Sequence, residues 1–152
     1  MSNKSIRLIV GLGNIGDAYR GTRHNAGFHF VDEVADEYGA RFQADRKFFG
    51  DVAKVRIGGA EVILLKPSTL MNLSGKAVAA VSAFYKISAS GILVAHDELD
   101  LLPGTARLKI GGGSAGHNGL KSIVSCLGSS DFVRLRIGSR IVAMSFCEPR
   151  SC

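Results

Sequence analysis

Long apolar runs are missing from the sequence. The longest candidate, residues 78–83, is far shorter than the ~20 residues that a membrane-spanning helix needs. The apolar run at residues 6–10 is also short, and no cleavage pattern typical of a signal peptide follows it. We therefore expect no contact with a membrane and a cytoplasmic location.

Cysteine is scarce. The chain has three cysteines, all late in the sequence, at Cys126, Cys147 and Cys152. An odd number without any Cys-x-x-Cys spacing argues against a disulfide framework and against a zinc site. Cys126 lies in a helical pattern, and we expect it to pack in the core.

Apolar and charged residues occur in ordinary proportions, 46% and 21%, which is typical of a globular domain with one core. The charge is unevenly spread. Residues 1–102 carry 12 Lys/Arg and 11 Asp/Glu, whereas residues 103–152 carry 7 and 2, so most of the net charge of +6 lies in the C-terminal third. A basic region of this kind favours contact with a polyanion, and the alternative is a solvated basic face.

Apolar periodicity predicts alternating strands and helices. This alternation indicates an α/β fold, a three-layer sandwich with a mixed, mostly parallel central sheet and helices on both faces. A hairpin that turns at Gly58-Gly59 excludes an all-parallel sheet. The predicted strands lie at 6–10, 51–57, 61–65, 92–95, 105–110 and 132–137, and the predicted helices at 28–38, 77–85 and 120–127.

The segment Gly11-Leu-Gly-Asn-Ile-Gly16 fits the G-x-G-x-x-G dinucleotide-binding fingerprint. That fingerprint needs a helix that opens at the third glycine and an acidic residue at a strand end ~20 residues later. Residues 17–27 have no helical periodicity, and Asp32 and Glu33 fall inside a predicted helix. The pattern therefore argues against a nicotinamide or flavin site.

Three polar loops and one acidic run share histidine, asparagine and carboxylate residues. Loops that follow strands of an α/β sheet meet at one edge, where ligands bind. Histidine accepts a proton near neutral pH, a carboxylate fixes its tautomer, and asparagine amides can hold a carbonyl group or a water. These residue types predict attack of water on an acyl group. The residues are Asn14, Arg23, His24 and Asn25 in the first loop, Met71, Asn72 and Ser74 in the second, 96–98 in the acidic run, and 116–119 in the third loop.

Each of these residues also has an ordinary structural interpretation. A histidine in a polar loop is often merely solvated, Asp97 can cap a turn, and Asn72 and Asn118 can cap the helices that follow them. Spacing alone does not choose the base among His24, His96 and His117.

Several long motifs, in order, resemble the bacterial peptidyl-tRNA hydrolase family between residue 6 and about residue 138. They are Leu8-Ile-Val-Gly-Leu-Gly-Asn14, Thr22-Arg-His-Asn-Ala-Gly-Phe28, Lys66-Pro-Ser-Thr-Leu-Met-Asn-Leu-Ser-Gly75, Val94-Ala-His-Asp-Glu-Leu-Asp100 and the segment 109–123. The resemblance implies hydrolysis of the ester between a peptide and the terminal ribose of tRNA, which recycles tRNA from aborted translation, without metal or cofactor. A relative that binds RNA without catalysis, or an inactive truncated form, is the alternative.

The resemblance also assigns roles to individual residues. It implies that His24 is the general base that activates water, and that Asp97 supports it. Asn14 is expected to distinguish acylated from free aminoacyl-tRNA. The residues that it implies in substrate binding are Asn72 and Asn118 on the peptide backbone and the water, Tyr19 on the substrate, and Lys109 and Arg136 on tRNA phosphates, with Arg134 assisting.

The chain departs from the family pattern at four places, of which the one at residues 114–115 is expected to matter little. Ile15 stands where the family usually has proline, and Leu70 stands in the substrate cleft where it usually has an aromatic residue. After residue 138 the family pattern stops. We therefore divide the chain into a family-like domain, 1–138, and an atypical tail, 139–152. We expect a monomer, with possible self-association through apolar sheet surface that the shortened C-terminus exposes.

Overall fold

The computed structural model describes residues 5–13, 25–98, 101–102, 104–113 and 117–138, and these residues form one sheet with helices. The strands are β1 (Leu8–Gly11), β2 (Gln43–Asp45), β3 (Gly50–Ile57), β4 (Ala60–Pro67), β5 (Ile92–Glu98), β6 (Ala106–Ile110) and β7 (Val133–Gly138). The helices are α1 (Ala26–Glu37), α2 (Ser74–Tyr85) and α3 (Asn118–Leu127), with short 3-10 turns at Arg46–Phe48, Met71–Leu73 and Ala89–Gly91.

The seven strands form a mixed sheet in the order β2-β3-β4-β1-β5-β7-β6. The central pairs β4–β1, β1–β5 and β5–β7 are parallel, and the outer pairs are antiparallel. The expected mixed α/β sheet is thus confirmed. β1 lies in the middle with β4 and β5 on either side, so the carboxyl ends of these three strands meet at one edge. That edge is where ligands bind in open α/β sheets.

Each face of the sheet carries its own apolar core. Val31 and Ala35 of α1 pack with Val55, Val62 and Leu64 on one face. On the other face, α2 and α3 pack against β1, β4 and β5, through a cluster that includes Val78, Val81, Leu120, Ile123, Val10 and Val94. Helices on both faces make the three-layer sandwich that the alternating pattern predicted.

Several boundaries differ from the sequence-based expectation. β5 was expected to end at residue 95, but it continues through Glu98, so the acidic run is part of a strand. The apolar pattern ended there because His96 and Asp97 are polar although they are buried. The short edge strand β2 was not predicted, because two of its three residues are exposed and no apolar alternation marks it.

The apolar spacing of the predicted helix at 77–85 also places Phe84 inward, but both Phe84 and Cys126 lie at the surface. Phe84 near the end of α2 is 58% exposed, and it stacks edge-on against Phe48 and Tyr85. Cys126 of α3 is exposed as well, so the expectation that it packs in the core is wrong. Phe84 and Cys126 are each the next-to-last residue of a short helix.

Strands β6 and β7 have one basic face and one apolar face. In their ladder Arg107 pairs with Arg136, and Lys109 pairs with Arg134. The alternate positions are apolar, and they place Leu108 opposite Leu135. Because side chains alternate along a strand, the sequence predicts that Arg107 and Lys109 share one face of their strand and that Arg134 and Arg136 share one face of theirs. The ladder places the four cations on one face of the sheet. No helix in the described part of the chain is long and apolar enough to span a membrane.

Candidate active site

The carboxyl ends of β1 and β5 are held together directly. The backbone amide of Leu12 donates to the carbonyl of Ala95 over 3.0 Å. Helix α1 begins against the same point, because Gly27 lies so close to Ala95 and Leu12 that a Cβ at this position would collide with their backbone atoms. Only glycine allows this approach. The buried Asn25, which precedes α1, is therefore held at the edge where the two strands end.

A second glycine brings the start of α3 to the same edge. A Cβ on Gly119 would lie 2.8 Å from Cδ1 of Leu12 and 2.8 Å from Sδ of Met71. Leu12 follows β1, and Met71 begins the 3-10 turn after β4. The first turn of α3 thus packs between two loops that follow neighbouring strands. Asn118 and Asn72, the chain neighbours of Gly119 and Met71, flank this contact on the two elements.

Helix α3 is capped by a histidine side chain. Nδ1 of His117 accepts hydrogen bonds from the backbone amides of Gly119 at 3.1 Å and Leu120 at 3.3 Å. A ring nitrogen that accepts a hydrogen bond carries no proton, so the proton of the neutral ring lies on Nε2. The alternative interpretation of Asn118 as the cap of α3 is wrong, because Asn118 is the first helical residue. Asn72 likewise does not cap α2, since the residue at that cap is Leu73.

The protonated nitrogen of His117 faces a carboxylate. Nε2 of His117 lies 3.7 Å from Oδ1 of Asp97, and the side chain of Asp97 is 8% exposed. The ring of His117 also packs edge-on against His96, with 4.8 Å between the ring centroids. The end of β5 and the start of α3 therefore share a polar contact that water reaches poorly.

His96 is buried and neutral. Its side chain is 1% exposed, its Nδ1 donates to the carbonyl of Asp97 at 2.9 Å, and its Nε2 has no hydrogen-bond partner among the described residues. Burial, reinforced by the neighbouring His117, lowers the pKa of His96 from 6.5 to about 4. A ring with this burial does not exchange protons readily with a bound substrate or with water.

The basic face beside this edge contains both exposed and buried cations. Arg107 and Lys109 are exposed on β6, and Arg136 is partly exposed with Nε at 3.6 Å from Glu98. Arg134 is different. It is 1% exposed, its guanidinium donates to the carbonyls of Gly113 and Ser130, and it lies over the ring of Phe132. Burial lowers the pKa of Arg134.

The structure places six of the expected substrate-binding residues and Asp97, whereas Asn14, Tyr19 and His24 lie outside the described residues. Asp97 is the next-to-last residue of β5, and Asn72 and Asn118 are exposed at the same edge. Leu70 is 62% exposed beside the 3-10 turn that contains Asn72. Lys109 and Arg136 lie on the basic face, but Arg134 is enclosed and does not present its charge to solvent.

Sequence reasoning considered His117 only as a candidate base and missed its position as the cap of α3. Histidine is not among the preferred capping residues, so propensity pointed to Asn118 instead. The run of small residues at 111–119 was a signal for a tight helix start. In residues 5–13, 25–98, 101–102, 104–113 and 117–138, no three His, Cys, Asp or Glu side chains are grouped so that they could hold a metal ion.

Comparisons with known proteins agree with this geometry. The family model described as peptidyl-tRNA hydrolase matches residues 8–140. A peptidyl-tRNA hydrolase of Pectobacterium carotovorum is 59% identical over 135 residues, which cover 88% of this chain and 69% of the relative. The corresponding protein of Bordetella petrii is 58% identical, with 88% and 64% of the two chains covered. The crystal structure of peptidyl-tRNA hydrolase from Acinetobacter baumannii superposes with a TM-score of 0.85 at 51% identity, over 91% of this chain and 71% of that one.

Proposed function

This chain belongs to the peptidyl-tRNA hydrolase family and hydrolyses the ester that joins a peptide to tRNA, and we propose that His24 is the general base of this reaction. The substrate is a peptide or an N-acylated amino acid on the terminal ribose of tRNA. Its cleavage returns tRNA from aborted translation. Because such substrates form where ribosomes work, we include a cytoplasmic location in the proposal.

The assignment of His24 is supported by what the other two candidate histidines do. His96 is buried with its pKa lowered to about 4, and His117 uses Nδ1 to cap α3. Neither ring is free to take a proton from water and pass it on. His24 precedes Asn25 in the chain, and Asn25 is buried where β1 and β5 end. The main support for His24 as the base is thus that His96 is buried and that Nδ1 of His117 is bonded to α3.

The proposed chemistry is general-base attack by water. His24 takes a proton from a water as the water oxygen bonds to the ester carbon, and Asp97 stabilises the imidazolium that forms. The tetrahedral intermediate then loses the ribose oxygen, which receives the proton from His24. Asn14 distinguishes an acylated amino group from a free one. Asn72 and Asn118 hold the peptide backbone and the attacking water. Amide donors placed in this way stabilise the oxyanion.

Binding of tRNA is assigned to the basic face. Lys109 and Arg136 present positive charge beside the edge that carries Asp97 and Asn118. Contacts of this kind position the nucleic acid and do not read its sequence. Arg134 supports this face from beneath, because its guanidinium is already bonded to two carbonyls. Tyr19 and Leu70 are proposed to contact the substrate.

The test is release of an N-acylated amino acid from its tRNA by the 152-residue chain. His24→Ala is expected to reduce turnover by about 1,000-fold while tRNA binding persists, since loss of a general base removes typically 10²–10⁴-fold. His29→Ala is the matched control, because His29 is an exposed histidine on α1. Turnover by His24→Ala at the rate of the unchanged chain would refute the assignment of the base. A folded chain that binds tRNA but releases nothing would instead support a role in RNA binding alone.

A further inference from the structure

We propose that His117 is a positioning residue that fixes Asp97 relative to Asn118. This inference rests on the proposed function, because it assigns to His117 the task of orienting the carboxylate that supports His24. The ring joins two elements that carry functional side chains. Its Nδ1 atom is bonded to the first turn of α3, and its Nε2 atom faces Asp97 at the end of β5.

The two ring nitrogens have opposite hydrogen-bonding roles. Nδ1 accepts from the amides of Gly119 and Leu120, which fixes the proton on Nε2. Nε2 is therefore a donor, and the acceptor that it faces is Oδ1 of Asp97 at 3.7 Å. A histidine whose second nitrogen is fixed by a hydrogen bond holds both its tautomer and its ring orientation. In this chain the bond that fixes the tautomer comes from a helix N-terminus.

The surroundings keep the ring in place. His117 packs edge-on against the buried His96, and its Cε1 atom would lie 3.1 Å from a Cβ on Gly119. The side chain of His117 is only 17% exposed. A ring enclosed in this way cannot turn to exchange its two nitrogens without breaking both bonds to α3. The carboxylate of Asp97 is consequently held at a defined distance from the start of α3, and so from Asn118.

Two substitutions test the roles of the two ring nitrogens of His117 separately. The side-chain oxygen of asparagine occupies nearly the place of Nδ1, so His117→Asn keeps the cap of α3 and loses the donor to Asp97. The amide nitrogen of glutamine reaches nearly the place of Nε2, so His117→Gln keeps the donor and loses the cap. A purely structural role for His117 predicts that activity follows helix stability. A positioning role predicts that activity follows the donor.

We expect kcat of His117→Asn to fall by about tenfold, because Asp97 loses the N–H that faces its Oδ1 atom at 3.7 Å, with KM and Tm close to those of the unchanged chain. We expect Tm of His117→Gln to fall by about 4 °C through loss of the cap, with kcat within about threefold. The reverse order, with full kcat in His117→Asn and reduced kcat in His117→Gln, would overturn the proposal. Equal kcat in the two variants would overturn it as well.

A spectroscopic measurement makes the inference independent of turnover. In the ¹⁵N spectrum of the neutral imidazoles, we expect the proton of His117 on Nε2, and we expect Asp97→Asn to move the Nε2 resonance while Nδ1 keeps its position. A proton on Nδ1, or an Nε2 resonance unaffected by Asp97→Asn, would refute the proposal even if the chain hydrolyses peptidyl-tRNA. Absence of turnover together with the expected spectrum would refute the proposed function and leave the contact between His117 and Asp97 established.

Discussion

Arg107 of β6 lies directly opposite Arg136 of β7 in the antiparallel ladder. Like charges in this position destabilise a sheet, because the two side chains project from the same face at close range. The next pair on that face, Lys109 and Arg134, repeats the arrangement. The ion pair between Arg136 and Glu98 offsets only part of this charge. A polyanion that binds across the ladder would relieve this repulsion.

The exposed part of this basic face predicts a salt dependence. We expect Arg136→Ala and Lys109→Ala each to weaken tRNA binding and to reduce the slope of log K against log salt by about 1, because each change removes one phosphate contact. The measurement is a titration of tRNA at several salt concentrations. Lys54→Ala is the control, since Lys54 is an exposed lysine on β3, far across the sheet order from β6. An unchanged slope in both variants would remove these residues from the tRNA interface.

Arg134 is expected to behave differently from its neighbours. Arg134→Ala removes a buried guanidinium that donates to the carbonyls of Gly113 and Ser130, so we expect the free energy of unfolding to fall by about 3 kcal/mol. The salt slope of tRNA binding should stay as it is. Urea unfolding measures the first quantity, with the exposed Arg107→Ala as control. A large change in salt slope without loss of stability would show that Arg134 meets phosphate directly.

The order of strands and helices was predictable because the apolar periods are clear. β1, β3 and β4 read as buried or alternating strands, and the turn at residues 58–59 has the positive φ angles that its two glycines permit. What failed were positions where a polar residue is buried or an apolar one is exposed. Because His96 and Asp97 are polar, the apolar pattern ended before the last three residues of β5. Phe84 fits the helical period but is exposed. Periodicity reports the average environment of a face and does not report such exceptions.

The candidate site was predictable in its residue types and in part in its location. The rule that ligands bind beyond the carboxyl ends of parallel strands led to Asp97, Asn72 and Asn118, which the structure brings to one edge. It could not show that His117 caps α3 or that Arg134 is enclosed. Both facts depend on side-chain directions that are set by tertiary contacts, namely the close packing at Gly119 and the carbonyls of Gly113 and Ser130.

Gly27 provides a test of the close approach at the start of α1. A Cβ at this position would collide with backbone atoms of Ala95 and Leu12, which cannot move without disturbing β1 and β5. We expect Gly27→Ala to lower the free energy of unfolding by about 3 kcal/mol or more, as overpacking against rigid atoms does. Gly113→Ala is the matched control, because a Cβ there would meet no atom within 4 Å. Equal stability of the two variants would show that α1 does not depend on this contact.

His96 predicts how stability changes with pH. The pKa of His96 is lowered to about 4 in the folded chain, whereas an unfolded chain has the ordinary value of 6.5. Between these values the unfolded state binds a proton that the folded state does not. The stability that the buried, neutral ring of His96 contributes is therefore complete above pH 6.5, and it is lost as the pH falls towards 4. We expect this single group to remove about 3 kcal/mol over that window.

Other groups titrate in the same window, so the effect of His96 has to be isolated by substitution. His96→Asn removes the titrating ring and retains a donor for the carbonyl of Asp97, so we expect its stability to depend less steeply on pH between 6.5 and 4 than that of the unchanged chain. His29→Asn is the control, because His29 is an exposed histidine on α1. The measurement is urea unfolding at closely spaced pH values. A slope that is the same in His96→Asn and in the unchanged chain would mean that the buried ring takes up its proton as readily as a solvated one, and that β5 opens to water at its carboxyl end.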